Sequence, residues 1–167
     1  MKKSLVRSEN AVQYKTKTTK ASKDDEIIAQ ALAILEQRIK RDHVLDSLAL
    51  ASEYLITRNN NRTHEVFSVL YLDANLRLIA ICDEAVGGIS GCQVDPVAII
   101  RKSLELGACS VILSHNHPSG DITPSQADKR WTEQIFGMLS LFDIVLFDHI
   151  IVGGGKSTSM QELGLIN

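Results

Sequence analysis

The chain has 167 residues, a hydrophobic fraction of 44% and a formal net charge of −2. This length and composition indicate one soluble domain with its own core, and the near-neutral charge gives no overall attraction to nucleic acid. The three cysteines, Cys82, Cys92 and Cys109, form no CxxC pair, so we expect no disulfide framework and a cytoplasmic location. The sequence also lacks an apolar run of the about 18 residues that a membrane span needs, and the charged N-terminus is not followed by the apolar core of a secretory signal.

Residues 1–23 contain seven Lys or Arg residues and a single acidic residue, Glu9. This composition predicts a basic flexible tail. Such a tail either keeps the chain in solution or contacts an acidic partner such as a nucleic acid.

Residues 24–60 are predicted to hold two N-terminal helices. The first helix spans 24–41, with Ser22 as a candidate N-cap, an acidic first turn and an apolar stripe made of Ile27, Ala31, Ile34 and Leu35. The second spans 44–57 and ends in the turn Asn59-Asn60-Asn61. Both helices either pack on the following domain or mediate self-association into a homo-oligomer.

The remaining residues, 61–167, mix strands and helices. A hairpin is predicted from strands at 65–72 and 76–82, followed by a short strand near 89–94. A helix begins at Asp95-Pro96 and ends before Gly107, because proline suits a first helical turn and glycine suits a helix end. The other predicted elements are strand 109–114, helix 125–139, strands 142–147 and 149–152, a glycine turn at 153–156 and strand 157–160. This order predicts an α/β (α+β) fold in which helices flank one mixed sheet.

The stretch from His115 to Asp128, HNHPSGDITPSQAD, carries the strongest chemical signal. Side chains two apart on an extended segment point to the same side, so His115 and His117 can address one point while Asn116 faces away. Ser125 is predicted to be a helix N-cap, and Asp128 then lies in the first helical turn. Two histidines and one carboxylate, with a fourth position left for water, are the ligands of a catalytic zinc centre, so we expect one Zn²⁺ per chain.

The same stretch resembles the JAMM signature of JAB/MPN metalloprotease domains, in which His-x-His is followed after seven residues by Ser and after two more by Asp. His115, His117, Ser125 and Asp128 all fall in register with it. The local sequence HNHPSGD is most similar to that of the bacterial RadC-like branch of these domains. The resemblance runs from about Glu65 to the C-terminus. It implies a JAB/MPN-like fold, akin to the cytidine deaminase architecture, in residues 61–167.

The resemblance also implies roles for individual residues. His115, His117 and Asp128 would bind zinc, Glu65 would act as general base, and Ser125 would donate a hydrogen bond to the oxyanion. The implied reaction is hydrolysis of a peptide or isopeptide bond by a metal-activated water. RadC-like proteins of full length carry a helix-hairpin-helix module that needs glycine, and no glycine precedes Gly87, so we expect a short form without that module.

Several other residues are weaker candidates. Glu84, predicted to lie in a loop, competes with Glu65 as the base. His149 and Asp148 are candidates for orienting a metal ligand, although a packed structural role explains His149 equally well. Burial is the default for Ser114, and we expect two further histidines, His43 and His64, to be helix-end and loop residues.

Other enzyme classes fail on their motifs. His64-Glu65 begins like HExxH but lacks the second histidine, and the CxxC pair of the zinc deaminases is missing. Gly155-Lys156-Ser157 resembles the end of a P-loop, but Ile150 stands where the first glycine is required. The alternative to a metallohydrolase is therefore a binding module that keeps the fold and serves a protein complex or a DNA-repair assembly without hydrolysis.

Overall fold

The computed structural model describes residues 22–41, 48–59, 62–87 and 94–166. Its elements, in chain order, are α1 (Lys23–Arg41), α2 (Leu48–Asn59), β1 (Val66–Leu72), β2 (Leu78–Val86), α3 (Pro96–Leu106), β3 (Ser110–Asn116), α4 (Gln126–Ser140), β4 (Val145–Gly153) and β5 (Lys156–Ser159). The predicted class, helices flanking one mixed sheet, is confirmed. The predicted tail up to residue 21, the predicted strand near 89–94 up to residue 93, and His43 lie outside the described residues.

The sheet has the strand order β2-β1-β3-β4-β5. β3 and β4 run parallel with α4 as their crossover, and the other neighbouring pairs are antiparallel. Every residue of β1 and β3 is buried, since helices cover both faces of the sheet at its centre.

Successive side chains of the strands point to opposite faces of the sheet and so belong to two separate hydrophobic cores. On one face, Phe67, Val69 and Tyr71 of β1 pack against Ile99 of α3 and Ile135 of α4. On the other face, α1 and α2 cover a second core, which includes Leu70, Leu72, Ile112, Ile150, Tyr54 and Leu55. The sheet therefore forms the middle layer between two pairs of helices.

The inward face of α1 differs from the predicted stripe by about one residue. Ile27 and Ile34 are 63% and 53% exposed, whereas Leu32 and Leu35 pack on the second core and Ile39 is buried. Including Ile27 and Ile34 in the stripe was wrong. Apolar residues stand side by side along this helix, so the helical period alone does not say which of two neighbouring stripes meets the sheet.

Several strand boundaries also differ from the predictions, and the largest differences are on β2, β3 and β4. β2 runs on to residue 86, so Glu84 lies on a strand and not in a loop. β3 continues through His115 and Asn116, two residues past its predicted end. The two strands predicted at 142–147 and 149–152 are a single strand, β4, which continues through Asp148. β4 begins only at Val145, because residues 141–143 form a turn in which Asp143 has a positive φ of 56°.

The helix ends follow the capping residues. α3 begins at Pro96 with Asp95 as N-cap, whose carboxylate accepts a hydrogen bond from the backbone N–H of Val97 at 2.9 Å, and ends at Gly107 with a φ of 64°. α2 ends at Asn59, two residues beyond its predicted end. None of the helices in the described residues combines the length and apolar character of a membrane span.

Candidate metal centre

The end of β3 holds the two motif histidines, and Asn116 between them fixes the neighbouring strand. The Asn116 amide oxygen accepts a hydrogen bond from the Val66 N–H at 2.8 Å, and its NH₂ donates to the His64 carbonyl at 3.1 Å. Asn116 therefore faces away from the histidines, as predicted. Its contacts tie the start of β1 to the end of β3.

The segment after His117 turns sharply back toward α4. The His117 N–H donates to the Val152 carbonyl at 2.8 Å, and the Gly120 N–H donates to the His117 carbonyl at 3.0 Å. Gly120 has a φ of 84°, and a Cβ on Gly153 would come within 3.0 Å of the Gly120 carbonyl carbon. Two bare backbones thus meet at this point, which keeps the turn compact.

α4 begins with a reciprocal capping box. The Ser125 hydroxyl accepts a hydrogen bond from the Asp128 N–H at 3.1 Å, and the Asp128 Oδ2 accepts one from the Ser125 N–H at 2.7 Å. Ser125 is thus an N-cap, as predicted. The box also fixes the Asp128 carboxylate, whose Oδ1 lies 3.3 Å from Nε2 of His115 and whose Oδ2 lies 3.7 Å from Nε2 of His117.

The two histidines and the carboxylate converge on one point. The Nε2 atoms of His115 and His117 are 3.0 Å apart, and Asp128 Oδ1 is 3.3 Å from Nε2 of His115. One ligand atom from each residue lies within 4.8 Å of the other two. His115 is 1% exposed, while the side chains of His117 and Asp128 are 19% and 16% exposed, so the group opens to solvent on one side.

Hydrogen bonds behind the ligands fix the imidazole tautomers. The Thr132 hydroxyl lies 2.7 Å from the Asp128 carbonyl and 2.7 Å from Nδ1 of His149, and Nε2 of His149 lies 2.8 Å from Nδ1 of His115. A carbonyl only accepts, so Thr132 donates to it and accepts from His149 Nδ1–H, which leaves Nε2 of His149 to accept from His115 Nδ1–H. The Nε2 lone pair of His115 is then directed into the centre.

In His117 a single hydrogen bond to the backbone fixes the tautomer. Its Nδ1 lies 2.6 Å from the carbonyl oxygen of Asp121 and donates to it, so its Nε2 lone pair also faces the centre. Two nitrogen lone pairs and a carboxylate that face one another need a positive charge between them. A proton or a metal ion supplies that charge.

The pKa shifts of the site agree with the need for a positive charge between the two histidines and Asp128. Burial would raise the pKa of the Asp128 carboxyl, but hydrogen bonding to His115, His117 and Ser125 holds it well below its usual range. Hydrogen bonding to Asp128 raises the pKa of His117 against the effect of its partial burial. Complete burial, together with the nearby charge of His115, lowers the pKa of His149 well below its usual value, so His149 stays neutral.

The donor set fits zinc. Tetrahedral zinc with bonds of about 2.0–2.1 Å places its ligand atoms about 3.3 Å apart, and the three observed separations of 3.0, 3.3 and 3.7 Å lie on both sides of that value. Imidazole nitrogens backed by a carbonyl and a neutral histidine are typical of oriented metal ligands. The residues that would hold the ion are His115, His117 and Asp128.

The chain also matches a known protein family along most of its length. The profile described as RadC-like JAB domain covers residues 45–165. The chain belongs to this family. The match begins within the N-terminal helical region and includes α2, whose residues Ala51, Tyr54 and Leu55 are buried in the second core.

Relatives of this chain from several bacteria carry the name "UPF0758 protein". The relative from Variovorax paradoxus is 40% identical over 145 residues, which cover 83% of this chain and 64% of the relative. The relative from Stutzerimonas stutzeri is 40% identical over 143 residues, 81% of this chain and 64% of its own length. The one from Vibrio cholerae is 39% identical over 138 residues, 83% of this chain and 87% of its own length. The chain thus spans less than two thirds of the first two relatives.

Glu65, the predicted base, lies beside the metal centre at the start of β1. Phe67 pairs with His115 across β1 and β3, and the same register continued by two residues brings Glu65 opposite His117. The Glu65 charge contributes to raising the pKa of His117, after the larger effect of Asp128. Ser125, the predicted oxyanion donor, is exposed, and its hydroxyl oxygen accepts from Asp128 N–H, which leaves its proton to donate.

The weaker candidates take different places. Glu84 lies on β2, beyond β1 from the histidines, and accepts a 2.6 Å hydrogen bond from the Tyr71 hydroxyl. Asp148 is buried and accepts from the backbone N–H groups of His149 and Gln161 at 2.6 and 3.1 Å, so it supports the strand and not a ligand. His64 is exposed, and Ser114 is buried.

Thr132 is the residue of the site that sequence reasoning missed. It lies one helical turn after Asp128, is 1% exposed and links Asp128 to His149. A threonine at i+4 from a ligand on the same helix is a signal that the helical period offers. Its meaning depends on His149, which the sequence does not place against α4.

Proposed function

We propose that this RadC-like JAB domain is a zinc-dependent hydrolase of the metallopeptidase type, which cleaves a peptide or isopeptide amide bond. The observation that carries the proposal is the convergence of His115, His117 and Asp128, each with a ligand atom within 4.8 Å of the others. Their open side, at His117 and Asp128, leaves room for water and substrate.

His115, His117 and Asp128 would hold a zinc ion, which would act as a Lewis acid toward the substrate carbonyl and would lower the pKa of a water to about 7. Glu65, opposite His117, accepts the proton of the attacking water and passes it to the leaving amine, a contribution of roughly 10²–10⁴-fold. The Ser125 hydroxyl donates to the developing oxyanion, and one such donor contributes about 3 kcal/mol in other hydrolases. His149 and Thr132 hold His115 in the tautomer that binds metal.

Glu65 is the preferred base because Glu84 is held by Tyr71 on the far side of β1. Burial, with Glu84 as the hydrogen-bond partner, raises the pKa of Tyr71, so the Tyr71 proton stays on the phenol and keeps donating to Glu84. A carboxylate fixed in this way is poorly placed to take a proton at the metal centre.

The test combines metal content with cleavage. The zinc content of the purified chain is measured by elemental mass spectrometry, and peptide and lysine-isopeptide libraries are screened for cleavage by mass spectrometry. We expect about one zinc per chain, lost in His117→Ala. Glu65→Gln should keep the zinc and lose cleavage by at least about 10²-fold, while Glu84→Gln, the matched control, should keep both.

Two results would contradict this assignment. Full zinc content in both His117→Ala and Asp128→Ala would exclude the ligand set. Zinc bound by these residues, with no cleavage of either library, would favour the alternative of a protein-binding or DNA-repair-associated module.

The free thiols of Cys82 and Cys109 support a cytoplasmic location, which fractionation of the source cells would test.

A further inference from the structure

The backbone pairing of β1 with β3 ends before it reaches the proposed base. Its last pair is Phe67 with His115, so neither Val66 nor Glu65 pairs with the main chain of β3. Glu65 is half-buried, and its carboxylate has no hydrogen bond or ion pair with any other described residue. The position of this carboxylate is therefore set by the groups that hold the backbone around it.

The side-chain amide of Asn116 holds the backbone on both sides of Glu65. Its oxygen accepts a hydrogen bond at 2.8 Å from the Val66 N–H, which belongs to the peptide group after Glu65. Its NH₂ donates at 3.1 Å to the His64 carbonyl, which belongs to the peptide group before Glu65. Asn116 is 3% exposed, so water competes poorly for the buried bond to Val66. One side chain thus supplies the donor and the acceptor that a paired strand would otherwise provide.

The carbonyl of Glu65 is held from the side of β2. It accepts a hydrogen bond from the Gly87 N–H at 2.8 Å, which extends the pairing of Val66 with Val86 by one residue. The peptide group between Glu65 and Val66 is therefore bonded at both of its ends, through its carbonyl to Gly87 and through its N–H to Asn116. A backbone held from two sides has little freedom to turn the Glu65 side chain away from the metal centre.

The chemistry of an amide suits this task. To bond the carbonyl before a residue and the N–H after it, one side chain needs both a donor and an acceptor, which the amide groups of Asn and Gln carry on one plane. A carboxylate offers acceptors alone. Because Asn116 faces away from His115 and His117, it holds the neighbouring strand without occupying the metal centre.

We propose that Asn116 is the positioning residue of the general base, which places Glu65 opposite His117 and keeps it there during proton transfer. Asn116 does not touch the reacting atoms and acts only through Glu65. The contribution of this placement to catalysis rests on the proposed hydrolase function. The placement itself does not, because the exchange rates of two backbone amides report it without any cleavage.

The first measurement is amide hydrogen exchange of the full chain, followed by NMR. In the native chain, the Val66 N–H should exchange as slowly as the amides inside the β1–β3 pairing, although it lies beyond that pairing. Asn116→Ala should speed the exchange of both Val66 and Gly87 by about tenfold or more, because Val66 loses its acceptor and Gly87 loses a fixed partner in Glu65. Asn59→Ala is the matched control and should change neither rate, since Asn59 is also buried, at 4% exposed, but its amide has no hydrogen-bond partner among the described residues.

The second measurement separates action through Glu65 from a general loss of structure. kcat, KM and zinc content are determined for the native chain, Asn116→Ala, Glu65→Gln and the double variant, with a substrate from the peptide or isopeptide libraries. Asn116→Ala should keep the zinc, change KM less than about twofold and lower kcat by about 10–100-fold, because a misplaced reacting group is costly. In the Glu65→Gln background, the same change should lower kcat less than about twofold, because the carboxylate that Asn116 positions is already absent.

Several results would overturn the proposal. One is an equal loss of kcat from Asn116→Ala with and without the Glu65 carboxylate, and another is the loss of zinc from Asn116→Ala, which would make Asn116 a support of the metal ligands. Rapid exchange of the Val66 N–H in the native chain would also overturn it, and this result does not depend on whether the variant folds. If the native chain cleaves neither library, the hydrolase function fails, and the exchange rates alone decide whether Asn116 holds Glu65. If cleavage is found but Asn116→Ala leaves both exchange rates unchanged, the hydrolase stands and this proposal fails.

Discussion

Each histidine of the candidate metal centre has its Nδ1 bonded to a fixed partner, and this bond decides whether its Nε2 can bind a metal. Nδ1 of His117 donates to the Asp121 carbonyl, and Nδ1 of His115 donates to His149, which Thr132 orients in turn. Because a neutral imidazole has one donor and one acceptor, these outer bonds turn both Nε2 lone pairs toward the centre. Partners of this kind commonly change metal affinity by about 10–100-fold.

Thr132→Val is expected to weaken zinc binding by about 10-fold or more while the fold is kept, because His149 loses the hydroxyl that orients it. Zinc affinity is measured by competition with a chromophoric chelator. Thr57→Val is the matched control. The Thr57 hydroxyl donates to the Glu53 carbonyl at 2.8 Å, as the Thr132 hydroxyl donates to the Asp128 carbonyl at 2.7 Å. Among the described residues, Thr57 has no hydrogen bond to a histidine. Equal zinc affinity in both variants would remove the relay through His149.

At the scale of elements, the centre lies where the end of β3 meets the start of α4. The turn between them stays compact because the bare backbones of Gly120 and Gly153 touch, and the capping box of α4 fixes both Asp128 and Ser125. Local helix capping and metal-ligand geometry therefore depend on the same side chains.

Ser125→Ala is expected to lower the free energy of unfolding by about 1 kcal/mol, through the loss of an N-cap, and also to reduce cleavage. Asp95→Ala removes the N-cap of α3 and should cost a similar amount of stability without changing cleavage or zinc content. Urea unfolding gives the stabilities. A Ser125→Ala protein that is as active as Asp95→Ala would restrict Ser125 to capping.

Glycine-to-alanine changes at Gly153 and Gly137 should act in opposite directions. A Cβ at Gly153 would meet the Gly120 backbone at 3.0–3.2 Å, so we expect Gly153→Ala to destabilise the fold by roughly 1–3 kcal/mol. Gly137 is exposed within α4 and a Cβ there meets nothing within 4 Å, so Gly137→Ala should stabilise by about 0.5–1 kcal/mol. Thermal unfolding measures both, and two shifts of the same sign would contradict the close approach at Gly120.

At the scale of the whole molecule, the order of the strands assembles the centre. β3 is flanked by β1, which brings Glu65 beside His117, and by β4, which brings His149 beside His115. The crossover helix α4 then returns Asp128 to the same point. A metal held by His115, His117 and Asp128 would stabilise the folded state, because the unfolded chain does not hold the end of β3 and the start of α4 in this arrangement.

Removal of the metal is therefore expected to lower the melting temperature. Free zinc at 100 times its Kd stabilises by about 2.7 kcal/mol. For a chain of this size that corresponds to roughly 5–10 °C, lost when a chelator is added. His115→Ala should melt at the same temperature with and without the chelator. An unchanged melting temperature of the zinc-saturated native chain after chelation would mean that the ion does not join these elements.

The sequence predicted those parts of the structure that depend on neighbours in the chain. The period of two along β3 placed His115 and His117 on one side, and the cap at Ser125 set the start of α4. It failed where a choice depends on distant packing. The predicted inward stripe of α1 was wrong at Ile27 and Ile34, which are exposed. Glu84 was predicted to lie in a loop, but it lies on β2.

The sequence by itself thus determined the fold class, the capped helix ends at Asp95, Gly107 and Ser125, and the set of candidate ligands, since strand alternation, capping and motif spacing are local properties of the chain. Only the tertiary structure decided that Thr132 and His149 fix the tautomer of His115, and that Glu65 and not Glu84 lies beside His117. These contacts join residues far apart in sequence, and they exist only because the order and register of the strands bring their elements together.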